Sequence, residues 1–133
     1  MIVVDSNVIA YCWLNTNLTD VAQLVRREER EWHVPLLWRS EMRSVLAGYM
    51  RKGQLTARDA AGVMSRVEKE LEGHEHLIES GAVLELVRST ELSAYDCEFA
   101  ALALQLGVPL VTEDRAILKA LPRTAKSMAA FLQ

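Results

Sequence analysis

The sequence has few cysteines, no excess of positive charge and no long apolar run. Its two cysteines, Cys12 and Cys97, lie far apart and match no metal-binding or redox spacing. We therefore expect a reduced, cytoplasmic protein in which both thiols are small buried apolar groups. No apolar segment approaches the length of a membrane span, and no signal peptide precedes the first predicted strand. The sequence predicts no membrane contact.

The charge balance argues mildly against a non-specific DNA- or RNA-binding protein. Lysine and arginine together number 15, aspartate and glutamate 18, and the net charge is −3. Such a chain has no global basic field, although an enzyme with basic residues around one cleft is not excluded. With 133 residues, half of them hydrophobic, the chain is predicted to form a single domain spanning residues 1–133.

Strand-like and helix-like segments alternate along the chain. Short apolar or β-branched runs, typical of buried strands, are IVV, WHVPLL, HEHLIE and VPLVT. The intervening helical patterns include NLTDVAQLVRREERE, SEMRSVLAGYMRKG, TARDAAGVMSRVEKELEG, GAVLELVRST, SAYDCEFAALALQLG and DRAILKALP. A last short strand or turn is expected in the tail AKSMAAFLQ. This alternation predicts an α/β fold with a mostly parallel central sheet and helices on both faces.

Four acidic residues fall where a parallel sheet would form a site. Each lies at a strand end or in the first turn of the following helix: Asp5, Glu41, Asp96 and Asp114. In open α/β sheets, ligands bind beyond the carboxyl ends of the strands. Each acid also has an ordinary explanation, since Asp5 and Asp96 suit helix caps and Asp114 lies at a helix start. Glu41 suits the N-terminal end of a helix dipole.

Two of these four positions have a competing acid nearby. Glu113 precedes Asp114, and strand alternation does not choose between them at a strand end. In the late helix, Asp96 aligns with an apolar stripe that is expected to face the sheet. That stripe consists of Phe99, Ala100, Ala103 and Leu104. Glu98 shares a less uniform face with Ala101, Leu102 and Gln105. We therefore favour Asp96 as the inward acid.

Several carboxylates gathered at one sheet edge would repel one another and raise one another's pKa values. A hard divalent cation between them would keep them ionised. Because all four candidate ligands are carboxylates and none is histidine or cysteine, the oxygen ligands favour Mg²⁺ or Mn²⁺ over Zn²⁺. Such ions bind phosphate oxygens and activate water, which suggests phosphodiester hydrolysis without a protein nucleophile.

Several segments together carry a family resemblance. They are VVDSNVIA, Glu41 after VPLLWRS, SAYDCEFAALALQLGVPLVTED and a short final segment. With them the sequence resembles PIN-domain ribonucleases, most closely the VapC-type toxins of bacterial and archaeal toxin–antitoxin pairs. The resemblance spans essentially the whole chain in order and length. The first and last segments, with an acid between them at suitable spacing, are together fairly specific for this family.

The resemblance implies a role for each matching residue. It makes Asp5, Glu41, Asp96 and Asp114 a catalytic, metal-binding quartet for Mg²⁺ or Mn²⁺. Asn7 and Thr112 correspond to polar residues that support the ligands, and Ser6 keeps the hydroxyl of the usual threonine. The resemblance further implies a PIN-like three-layer α/β/α sandwich with four to five strands. It also implies an RNA substrate, a homodimer and a cognate antitoxin whose C-terminal segment lies across the cleft.

Other residues are weaker candidates. His74 and His76 form an H-x-H pair, but no third metal ligand is evident in the sequence. Arg115 directly follows Asp114 and is the best candidate for contacting RNA phosphate, although a solvated or antitoxin-facing surface explains it equally well. Trp13 and Trp38 are expected to pack in the core or an interface rather than stack on bases.

Three alternatives to a toxin nuclease remain open. The first is a PIN nuclease in RNA processing that has no antitoxin. The second is a non-catalytic domain that binds RNA or protein, against which the intact set of acids argues. The third is a phosphatase-like hydrolase with Asp5 as nucleophile, which lacks the expected second aspartate because Asn7 stands there.

Overall fold

The computed structural model describes residues 1–133. Its five strands are β1 (Ile2–Val4), β2 (Trp32–Pro35), β3 (Glu75–His76), β4 (Leu110–Val111) and β5 (Ala125–Lys126). Its eight helices are α1 (Ser6–Trp13), α2 (Thr19–Glu28), α3 (Leu37–Arg51), α4 (Ala57–Glu70), α5 (Ser80–Ser89), α6 (Ala94–Leu106), α7 (Arg115–Ala120) and α8 (Met128–Phe131).

The five strands form one sheet in the order β3-β2-β1-β4-β5, and every neighbouring pair is parallel. Val3 of β1 pairs with His33 on one side and with Leu110 on the other. Helices flank the sheet, which confirms the predicted α/β/α architecture and its strand number. Because all strands run the same way, their carboxyl ends meet at one edge.

The central strand β1 is buried on both faces. Its three residues are each at most 2% exposed, as expected for a parallel strand covered by helices. Helix α3 packs against the sheet through Trp38, Met42 and Leu46, which follow an i, i+4, i+8 stripe and are all buried. Cys12 and Cys97 are buried free thiols, as predicted.

Two helices differ from the sequence pattern. Helix α1 follows β1 directly, where the sequence pattern assigned no element, because Asp5 caps it. Strand β2 ends at Pro35 and α3 already begins at Leu37, so the last residue of WHVPLL is helical. The buried position of Trp38 in the stripe of α3 accounts for this, since it extends the apolar period toward the N-terminus.

Caps define the ends of two of the predicted helices. Thr56 Oγ accepts a hydrogen bond of 3.0 Å from the Asp59 N–H and caps α4. Helix α6 ends at Gly107, whose φ of +67° is a conformation that glycine adopts without strain. The tail supplies both β5 and the short helix α8. None of the helices combines the length and hydrophobicity that crossing a membrane requires.

Candidate active site

A cleft of about 310 Å³ lies beyond the carboxyl ends of the central strands, where parallel sheets bind ligands. The residues that line it are Asp5, Ser6, Asn7, Glu41, Ser44, Val45, Asp96, Phe99 and Asp114. All four acids singled out in the sequence are therefore among the lining residues. No lysine, arginine or histidine lines the cleft, so no side chain of opposite charge neutralises these carboxylates there.

Asp5 is the most buried of the four acids, with 7% of its surface exposed. Its Oδ1 accepts a 2.9 Å hydrogen bond from the Val8 N–H and caps α1, and its Oδ2 accepts one from the Thr112 hydroxyl. Burial, aided by the charges of Asp114 and Glu41 and opposed by these two hydrogen bonds, raises the pKa of Asp5 to about 6. The Asp5 side chain therefore both caps α1 and lines the cleft.

Asp114 and Glu113 have different roles. Asp114 lines the cleft, and its Oδ1 caps α7 by accepting a 3.0 Å hydrogen bond from the Ile117 N–H. Glu113 Oε1 instead accepts a 2.9 Å hydrogen bond from the Met128 N–H at the start of α8. The structure thus places Asp114 at the cleft and gives Glu113 a partner in the C-terminal helix.

Asp96 lies in the first turn of α6, capped by Ser93, whose hydroxyl oxygen accepts a 3.1 Å hydrogen bond from the Asp96 N–H. Burial, and then the charge of Asp114, raise the pKa of the Asp96 carboxyl. The stripe predicted for this helix was partly wrong, because Leu104 is 51% exposed. The face assigned to Glu98 includes buried Ala101 and Leu102, so α6 is apolar around most of its circumference.

Glu41 belongs to α3 and reaches the cleft from the β2 side. The Ser6 hydroxyl donates a 2.7 Å hydrogen bond to its Oε1, which joins the first turn of α1 to α3. Thr112 has a similar function, because its hydroxyl donates to Asp5 and accepts a 3.0 Å hydrogen bond from the Asp114 N–H. These two hydroxyls bind the carboxylates of Glu41 and Asp5 and the backbone of Asp114.

The remaining predicted residues lie at different depths. Asn7 is exposed and lines the cleft, whereas Thr112 is fully buried behind it. Arg115 is exposed at the start of α7 and does not line the cleft. Ser44 also lines the cleft; it was not predicted from the sequence, although its i+3 spacing from Glu41 on α3 indicates a shared face.

The sequence matches the family model of the PIN domain over residues 2–123. The chain belongs to the PIN domain family. No curated protein sequence matches it. Membership implies nuclease activity in general and a general dependence on divalent metal.

Several solved structures share the fold of this PIN domain. FitAcB from Neisseria gonorrhoeae has a TM-score of 0.76 at 15% identity, covering 97% of this chain and 99% of the other. A toxin–antitoxin complex from Klebsiella pneumoniae has a TM-score of 0.70 at 14% identity, covering 96% of this chain and 98% of the other. PAE2754 from Pyrobaculum aerophilum has a TM-score of 0.69 at 21% identity, covering 98% of this chain and 92% of the other. At such identities the likeness shows the fold alone.

The cleft of this PIN domain fits a hard divalent cation. Its charged groups are all carboxylates, joined by the hydroxyls of Ser6 and Ser44 and the amide of Asn7. Oxygen donors of this kind are those that Mg²⁺ and Mn²⁺ prefer. A cation would also relieve the unfavourable ionisation that burial imposes on Asp5.

The two acids after β4 are expected to respond differently to substitution. Asn is as good a helix cap as Asp, so Asp114→Asn keeps the α7 cap while removing a charge that faces other carboxylates. We expect it to stabilise the metal-free protein by about 1 kcal/mol. Glu113→Gln, the matched control, is expected to change stability by less. Thermal melts in EDTA test this, and clear destabilisation by Asp114→Asn would show that its charge is structural.

Proposed function

We propose that this PIN domain is a Mg²⁺- or Mn²⁺-dependent endoribonuclease and the toxin of a VapBC-type toxin–antitoxin pair. One observation carries the nuclease proposal: four carboxylates line a single cleft in which no side chain carries positive charge. A folded domain gains no stability from assembling four repelling groups. A bound cation makes the arrangement favourable, and phosphodiester cleavage uses such a cation directly.

In this proposal Asp5, Glu41, Asp96 and Asp114 are the residues that would hold the metal. When bound, a divalent cation supplies charge stabilisation for the phosphate and lowers the pKa of water. The protein contributes rigid placement of the carboxylate oxygens. The caps of α1 and α7 fix Asp5 and Asp114 through backbone N–H groups, and these bonds define which oxygen lone pairs remain available.

Polar groups at the mouth of the cleft are proposed to receive the substrate. Asn7 and Ser44 line the cleft and offer an amide and a hydroxyl to a phosphodiester group. Arg115, exposed directly after Asp114, is our candidate for contacting a flanking phosphate. Because the protein carries a net charge of −3, binding is expected to depend on these local contacts rather than on a global basic field.

The toxin assignment has a narrower basis. The sequence segments resemble VapC-type toxins, and a toxin–antitoxin complex from Klebsiella pneumoniae shares the fold across nearly the whole chain. From the same resemblance we propose a homodimer and an antitoxin segment that lies across the cleft. An antitoxin bound there would exclude RNA from the acids.

The direct test is incubation of purified protein with RNA and with DNA of the same sequence. We expect internal RNA cleavage with Mg²⁺ or Mn²⁺, none with EDTA, and uncut DNA. Cleavage that persists in EDTA, or RNA left intact with both metals and every tested sequence, would contradict the nuclease proposal. Mapping cleaved RNA ends in cells after brief induction would then identify the target. Co-purification with a protein from a neighbouring gene, with loss of cleavage, tests the antitoxin separately.

A further inference from the structure

All three histidines of the chain meet at one edge of the sheet. His33 lies on β2, His76 on β3, and His74 immediately before β3. The ring centroids of His33 and His74 are 4.4 Å apart in a near-parallel stack, and those of His33 and His76 are 5.0 Å apart. The H-x-H pair of the sequence thus acquires a third imidazole from a neighbouring strand.

An acidic side chain completes this group. Glu31 immediately precedes β2, and its Oε1 lies 3.2 Å from His33 Nε2. Glu31 is at the amino end of β2, whereas Asp5 and Asp114 follow the carboxyl ends of β1 and β4. Because the strands are parallel, the histidine cluster and the catalytic cleft lie toward opposite ends of the sheet.

The hydrogen bonds determine where the imidazole lone pairs lie. His74 Nδ1 is 3.0 Å from the Trp32 carbonyl oxygen, which only accepts, so Nδ1 carries the proton and Nε2 has a lone pair. In a neutral His33 ring, Nε2–H donates to the Glu31 carboxylate. Its Nδ1, 2.7 Å from His76 Nε2, then accepts the His76 proton.

We propose that Glu31, His33 and His74 form a second metal site, which takes Zn²⁺ or a similar late first-row divalent ion. One ligand atom from each of the three lies within 4.8 Å of the others. Two imidazoles and a carboxylate are donors that such ions favour. The 3.2 Å between Glu31 Oε1 and His33 Nε2 is close to the roughly 3.4 Å that separates two ligands of a tetrahedral zinc ion.

The other ring nitrogens already have suitable partners. Metal-bound histidines nearly always donate their second N–H to a carbonyl, carboxylate or similar acceptor. His74 does so to Trp32. When His33 Nε2 binds the ion, its proton moves to Nδ1 and donates to His76 Nε2. Metal binding is therefore coupled to a change of tautomer in both His33 and His76.

The site has the freedom to close around an ion. Two parallel rings cannot both direct a lone pair at one ion, so binding requires His74 to tilt out of its stack on His33. His74 is half-buried, and the Glu31 side chain is 48% exposed, with only the Met1 amino group near its other oxygen, at 3.9 Å. The bound ion would link the two-residue strand β3 to β2, which holds the edge of the sheet.

Zinc titration by calorimetry in excess Mg²⁺, which occupies the proposed site in the carboxylate cleft, tests the histidine site with matched variants. We expect one zinc ion bound by the unaltered protein and by Glu28→Gln, an exposed acid on α2 outside the cluster. Glu31→Gln and His74→Gln are expected to weaken binding at least about tenfold. Asp96→Asn, which alters only the cleft, should leave this binding unchanged. Because Glu31 and His74 are not buried, both variants are expected to fold.

Nuclear magnetic resonance provides a second measurement that requires no variant. Since the chain has only three histidines, every imidazole signal reports on this cluster. Long-range ¹H–¹⁵N spectra should show His33 change from the Nε2–H to the Nδ1–H form when zinc is added. The proposal is overturned if no zinc binds or if the histidine signals do not respond. It is equally overturned if binding survives in both ligand variants or disappears in Asp96→Asn.

Discussion

Replacing Asp96 by Asn is expected to lower metal-dependent RNA cleavage by about 10³-fold or more while leaving the protein folded. A loss of that size corresponds to about 4 kcal/mol of transition-state stabilisation, the order expected when a catalytic metal loses a ligand. Asp96 is the best position for this test because its backbone N–H, not its carboxylate, completes the Ser93 cap. The substitution therefore removes a charge from the cleft without removing the cap.

Glu98→Gln is the matched control on the same helix. Burial also raises the pKa of Glu98, and the charge of Glu41 adds to this, yet Glu98 does not line the cleft. We expect this variant to cleave RNA within about threefold of the unaltered protein, because Glu98 is not one of the proposed metal ligands. Initial rates at saturating Mg²⁺ give the comparison. Undiminished cleavage by a well-folded Asp96→Asn protein would refute the assignment of this acid.

Asp5 is expected to make the stability of the metal-free protein fall as pH rises from about 4 to about 6. Burial raises its native pKa from 3.8 to about 6, so in this range the native state holds a proton that the unfolded state has lost. The difference between the two pKa values corresponds to about 3 kcal/mol, the additional free energy needed to ionise Asp5 in the native rather than the unfolded state. Urea unfolding in EDTA at several pH values measures it.

The informative quantity is the difference in slope between the unaltered protein and Asp5→Asn. Burial lowers the pKa of His76, so its protonation destabilises the native state as pH falls and opposes the effect of Asp5. Subtracting the Asp5→Asn curve removes this contribution. Saturating Mg²⁺ should also abolish the slope due to Asp5, because a cation favours the carboxylate. Equal slopes in both proteins would show that Asp5 ionises normally in the folded state.

The sequence was sufficient to predict the general location of the acids. Asp5 follows a β-branched strand and Asp96 follows a capping serine, and both positions depend on local patterns only. Once the strands are parallel, their carboxyl ends must share one edge, so residues at those ends lie close together. The apolar stripe of α6 was a poorer guide, because a helix buried on most sides has no single inward face.

Partners that belong to different elements were beyond the reach of sequence patterns. The choice of Asp114 over Glu113 depends on the tail, because Met128 at the start of α8 provides the partner of Glu113. The bond from Ser6 to Glu41 joins residues 35 positions apart, and no helix or strand period relates them. The position of the third imidazole, His33, beside His74 could likewise not be predicted, because it depends on the pairing of β2 with β3.

The sequence by itself determined the α/β architecture and the positions of four acids, because strand and helix periods and helix caps are local properties. Only the tertiary structure decided how far each acid is buried and which hydroxyl orients it. It also decided that the histidines form a cluster of their own away from the cleft. These properties depend on strand order and helix packing, which bring together side chains that are distant in the chain.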